Sequence, residues 1–177
     1  MVRIEFVGVR PILNFDQPIL REKAKKVSRV DTSIQRLIDD LAETMLAAPG
    51  AGLAAPQIGV RLRVCVVKGD ENQIWALVNP EIVKHEGVQV GYEGCLSYPG
   101  WVGEVARYET VVVKGRNRRG KEVRIKSGGF TARAFQHELD HLDGILFIDR
   151  LTNLDTLRRV EELEAGEQED AVAAASG

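Results

Sequence analysis

The sequence predicts an α+β fold: mostly antiparallel strands packed around a central helix, with one helix N-terminal and another C-terminal to it. Three observations point there. Two stretches near opposite ends carry helical signatures, five short strand-like runs lie between them, and the turn Asn117-Arg118-Arg119-Gly120 joins the last two runs as a hairpin. Helices and strands are therefore segregated along the chain, which argues against alternating βαβ units.

The first helix lies in "DTSIQRLIDDLAETMLAAPG". Ile34, Leu37, Ile38, Leu41 and Met45 fall on one face, Asp31, Thr32 or Ser33 can cap the start, and Pro49-Gly50 ends it. The strand-like runs are Arg61–Val67, Ile74–Asn79, Glu81–Gly87, Thr110–Arg116 and Glu122–Ser127. In the last, apolar and polar residues alternate, as a strand with one wet face requires. The central helix runs from about Thr131, a cap, to Leu142, with Gly144 as its stop. A third helix starts near Asn153 and decays into a small, acidic tail, so residues 1–165 are expected to form one domain and 166–177 to be disordered.

Composition narrows the function classes. Among the 177 residues, 44% are hydrophobic and 28% charged, as in an ordinary globular protein, and no apolar run approaches the roughly 20 residues of a membrane span. The N-terminus lacks the apolar core and small-residue cleavage site of a secretory signal. Two cysteines, Cys65 and Cys95, make no disulfide framework and fit a reducing cytoplasm. The net charge of −2 divides unevenly. From Leu151 onward the balance is −5, leaving +3 for the body, a weak sign of a polyanionic neighbour.

The central helix holds two of the three histidines. His137 and His141 are four residues apart, so both point from one helical face and can hold one metal ion. Glu138 lies about 100° around the helix from His137 and about 60° from His141, placed to act as a general base on metal-bound water without competing as a ligand. Two histidines leave a catalytic site one protein ligand short. Asp143, Asp149 and Asp155 are downstream candidates without a recognisable frame. Upstream, Cys95 sits in "YEGCLSYPG", where Gly94, Ser97, Pro99 and Gly100 indicate a shaped loop and not a packed strand. Cys65, in mid-strand, reads as inert filler, and His85 as an ordinary strand residue.

"PGAGLAAPQIG" contains G-x-G-x-x-A, the loose form of a dinucleotide-binding fingerprint. It follows a helix where that fingerprint must follow a strand, and Pro56 turns Ala55 away from helical geometry. An irregular backbone passing close to a ligand is the better reading, with the Gln57 amide available to an oxyanion.

With "GAGLAAPQIG", "EGCLS" and "QHELDH" in this order, the chain resembles the peptide deformylases, from about Arg10 through Arg150. The resemblance implies that Cys95, His137 and His141 ligate one divalent ion per chain, with water in the fourth place. That ion is usually Fe²⁺ in the cell, and Zn²⁺ or Ni²⁺ can stand in for it in a purified sample. Glu138 would be the catalytic acid/base, and Gln57 with the Leu96 backbone N–H the oxyanion hole. Glycines around Gly52, with Glu93 and Gly94, would bind the peptide main chain as an added strand.

The implied activity is removal of the formyl group from the N-terminal formyl-methionine of nascent polypeptides, releasing formate. It would take place in the cytoplasm, near the ribosome exit tunnel, with no membrane and no specific nucleic-acid sequence as partner. Phe130 and Ala134, one and two turns ahead of His137–Glu138, are candidates for the methionine pocket, and Arg107 for a contact to the substrate backbone or carboxylate. Ala51 and Tyr98 depart from the branched aliphatics frequent in the family, and Arg133 can line a pocket only with its stem. The rival readings are a zinc endopeptidase with a downstream ligand and a non-catalytic, ribosome-associated metal-binding module.

Overall fold

The computed structural model describes residues 8–69 and 73–162. The expected acidic tail, 166–177, lies outside the described residues. Helix α1 spans Thr32–Ala47, and Asp31 caps it by accepting from the N–H groups of Ser33 and Ile34. The five apolar residues read as its inner face are all buried.

Eight strands follow: β1 Gly52–Ala54, β2 Val64–Lys68, β3 Ile74–Glu86, β4 Gln89–Cys95, β5 Tyr98–Arg107, β6 Thr110–Arg116, β7 Glu122–Gly128 and β8 Arg158–Arg159. They form two antiparallel sheets, β1-β2-β3-β6-β7 and β4-β5-β8. β2 is buried on both faces, which explains its unbroken apolar sequence. Val64 and Val66 join Leu37, Leu41 and Met45 of α1 in one core, while Cys65 and Val67 join Phe135, Leu139 and Leu142 in the other.

The second core seats helix α2, Gly129–Leu142. The expected start at Thr131 is two residues late. β7 runs directly into the helix, with extended Gly128 as N-cap and Gly129 at φ 53°, a conformation that favours glycine. No loop remains for Thr131 to cap.

Other expectations are corrected by tertiary pairing. The two strands read on either side of Pro80 are the single strand β3. Asn79 takes φ 52°, and the register shifts between Val78 and Glu81, so the proline without an N–H sits at a bulge. The loop expected around Cys95 is largely a hairpin, β4–β5, in which Cys95 opposes Tyr98 across the two-residue turn Leu96-Ser97. Its irregular part is a register shift after Gly94, where Pro99-Gly100-Trp101 bulge from β5.

No α-helix starts at Asn153. That side chain instead caps a 3₁₀ turn, Leu154–Thr156, by accepting from Asp155 N–H, and Thr156 Oγ1 accepts from Glu104 N–H on β5. β8 then pairs with β5, and helical geometry begins at Val160, near the end of the described residues. Among the described residues, no helix is long and apolar enough to cross a membrane.

Candidate metal centre

α2 holds His137 and His141 on one face, and the end of β4 brings Cys95 to them. One donor atom from each of the three lies within 4.8 Å of the others. Cys95 Sγ is 3.2 Å from His141 Nε2. His137 Nδ1 lies 3.0 Å from Glu93 Oε2, which leaves Nε2 for a cation. A carboxylate behind a ligating imidazole fixes its tautomer and raises its basicity, as metal sites commonly require. A thiolate and two imidazoles suit Fe²⁺, Ni²⁺ or Zn²⁺, and three protein ligands suit a catalytic centre. The residues therefore fit one divalent ion. The downstream alternatives are not gathered here: Asp143 pairs with Arg63 at 2.6 Å, Asp149 pairs with Arg21, and Asp155 lies in the 3₁₀ turn before β8.

Glu138 is buried beside this centre, and its Oε2 has no hydrogen-bond partner. Burial pushes its carboxyl up to about 7, with nearby Glu93 adding to the rise and His137 and Arg107 opposing it. Gly52 of β1 packs directly on that carboxyl, so a Cβ at position 52 would overlap it. Gln57 is equally fixed. In the 3₁₀ turn Ala55–Ile58 its Oε1 accepts from Ala54 N–H at 2.8 Å, while Nε2 donates to Ser97 Oγ at 3.2 Å and, over a longer contact of 3.7 Å, to Cys95 Sγ. An amide nitrogen carries two protons, so both are engaged, and the one on the long contact to sulfur is the more weakly held.

The sequence reading missed what Glu93 does with its side chain. The carboxylate is buried between Arg107, whose Nε and Nη2 donate to it at 2.9 Å, and Arg133, whose Nη1 donates at 2.9 Å. Burial alone would raise its pKa, but hydrogen bonds from Arg107 and His137 hold it down to about 2. Arg107 also reaches Asp140 Oδ2 at 2.6 Å, and Asp140 in turn accepts from Arg150. Both of Arg107's faces are thus occupied by carboxylates, and it does not line the cavity that contains Cys95. One signal was legible. Arg133 stands one turn before His137 and two before His141, so a buried carboxylate was needed to meet a cation on the ligand face.

That cavity, about 450 Å³, is lined by Gly52, Gln57, Gly94, Leu96 and Ala134 together with Cys95 and His137. Phe130 contributes at its mouth and is 68% exposed, whereas Ala134 is buried. Ala51, Tyr98 and Arg133 also line it. A larger hollow, about 580 Å³, opens beside Arg63, Tyr108 and Arg150, and none of Cys95, His137 and His141 lines it. His85 stacks on Tyr108, with ring centroids 3.7 Å apart, outside both linings. Cys65 is fully buried, and burial raises its thiol pKa, so it stays protonated.

Residues 9–157 match the family model described as polypeptide deformylase. A peptide deformylase of Dehalococcoides mccartyi strain CBDB1 is 52% identical over 155 residues, 87% of this chain and 93% of that protein. One of Thermomicrobium roseum is 47% identical over 179 residues, 97% and 99% of the two chains. Among solved structures, the peptide deformylase of Thermotoga maritima superposes with a TM-score of 0.79 at 40% identity, covering 82% of this chain and 99% of that one.

Proposed function

The chain belongs to the polypeptide deformylase family, and from that premise we propose which of its residues carry the reaction. It is an amide hydrolase that removes the N-formyl group from nascent polypeptides. In our reading Cys95, His137 and His141 hold a single divalent ion, Fe²⁺ in the cell. A divalent cation there supplies Lewis-acid polarisation of water and of the formyl oxygen.

The chain's own groups supply the rest. Glu138, its carboxyl poised by burial, takes a proton from the attacking water and returns it to the departing amine nitrogen. The Gln57 N–H that lies toward Cys95 Sγ and the Leu96 backbone N–H donate to the formyl oxygen as it gains charge. Each such donor typically lowers the barrier by about 3 kcal/mol. β1 and β4 are both edge strands, and both border the cavity. Around Gly52 and Glu93-Gly94 they can therefore take up the substrate main chain as an added strand. Ala134 and Phe130 offer the methionine side chain an apolar wall. Nascent chains as substrate place the work in the cytoplasm beside the ribosome, and the +3 body supports a polyanionic neighbour.

The observation that carries this reading is the unpartnered Oε2 of Glu138 beside three convergent donor atoms. The test is formate release from formyl-Met-Ala-Ser, assayed anaerobically, with metal analysis of the same sample. The parent protein should hold about one ion per chain and release formate. Glu138→Ala should keep its ion and lose about 10²–10⁴-fold in turnover. Full turnover in that variant would overturn the acid/base assignment, and a loaded parent that releases no formate would favour a binding module.

A further inference from the structure

The C-terminal strand places two guanidinium groups against aromatic rings that line the cavity. β8 pairs Arg159 with Trp101 and Arg158 with Val102. The Arg158 guanidinium lies 5.5 Å from the ring centre of Tyr92, and that of Arg159 lies 4.6 Å from the ring centre of Trp101. Tyr92, Trp101 and the next residue, Val160, all line the cavity. Stacking on an aromatic ring holds a guanidinium flat and leaves its N–H edge free to donate. Among the described residues, neither side chain forms an ion pair, in contrast to Arg107, Arg133 and Arg150 behind α2. The nearby Glu162 carboxylate accepts instead from Arg159 backbone N–H, at 3.4 Å. Cys95, His137 and Glu138 line the same cavity, so with the formyl group at those residues the substrate beyond the methionine extends away from them.

We propose that Arg158 and Arg159 form a cationic rim that favours formyl-peptides with a carboxylate side chain on one of the two residues that follow the methionine. This rests on the deformylase reading above. The rim touches no reacting atom, so its effect falls on KM and leaves kcat alone.

The test compares formyl-Met-Asp-Ala-amide with formyl-Met-Asn-Ala-amide, and formyl-Met-Ala-Asp-amide with its Asn partner. Asp and Asn match in shape, and amidation removes the terminal carboxylate as a competing ligand. At 50 mM salt the parent protein should prefer the Asp member of at least one pair by roughly two- to fivefold in kcat/KM, the range for exposed ion pairs. The preference should shrink toward one at 1 M salt, where the screening length is about 3 Å. Arg158→Gln/Arg159→Gln should abolish it, and Arg158→Lys/Arg159→Lys should keep most of it. If β8 were only structural, the Gln variant would slow both members of a pair alike.

Ratios near one for both pairs in the parent protein, or a preference that survives in the Gln variant, would overturn the proposal. The parent ratio and its salt dependence decide the matter even if the variants do not fold. Release of formate from none of the four peptides would overturn the deformylase reading itself, and this proposal with it.

Discussion

The two flanks of α2 are built on opposite principles. Toward the five-stranded sheet it presents Ala132, Phe135, Leu139 and Leu142, all buried in an apolar core. Toward the β4–β5 hairpin it presents Arg133 and Asp140, ion-paired to Glu93 and Arg107, and His137, hydrogen-bonded to Glu93. Apolar contact is strong but non-directional, so it sets where the helix lies. Charged hydrogen bonds are directional, so they set how an imidazole is turned and which nitrogen it offers. Seating and orientation are therefore separable properties of one helix.

That separation can be broken experimentally. The largest expected effect is on the apolar flank, where Phe135→Ala should lower stability by about 3–5 kcal/mol in denaturant titration. Molecules that remain folded should keep the parent's affinity for a divalent ion. Glu93→Gln should instead weaken that affinity about 10–100-fold, as loss of a carboxylate behind a metal-ligating histidine generally does. Ion competition against a chelator measures it. If Phe135→Ala loosened the ion as much as Glu93→Gln does, seating and orientation would be one property. The smallest effect belongs to Arg150, which is 46% exposed at the outer end of the network. Arg150→Ala should change the melting midpoint by the equivalent of about 1 kcal/mol or less, because Arg107 still meets Asp140.

The apolar flank was far easier to read from the sequence than the ionic one. α1 and the β6–β7 hairpin follow from local periodicity and a turn, and the four-residue spacing of His137 and His141 puts both on one face. β4 and β5 hid because Gly91, Gly94, Pro99 and Gly100 interrupt any strand pattern, and their pairing to each other supplies what propensity does not. β8 is two residues long and exists only through β5. Arg107 and Glu93 each looked like a ligand for something outside the chain. Their partner is mainly each other, across 14 residues of sequence that return along a hairpin. Charge type is written in a sequence, but which charges meet is decided by register.

The contact between Gly52 and Glu138 has a practical consequence for anyone reshaping this protein. Enlarging or retuning the chamber can draw on Phe130, which lines it and is largely exposed. Position 52 offers no such choice, since even a methyl group would push the buried Glu138 carboxyl from its place. A saturation library there should return one survivor, the parent.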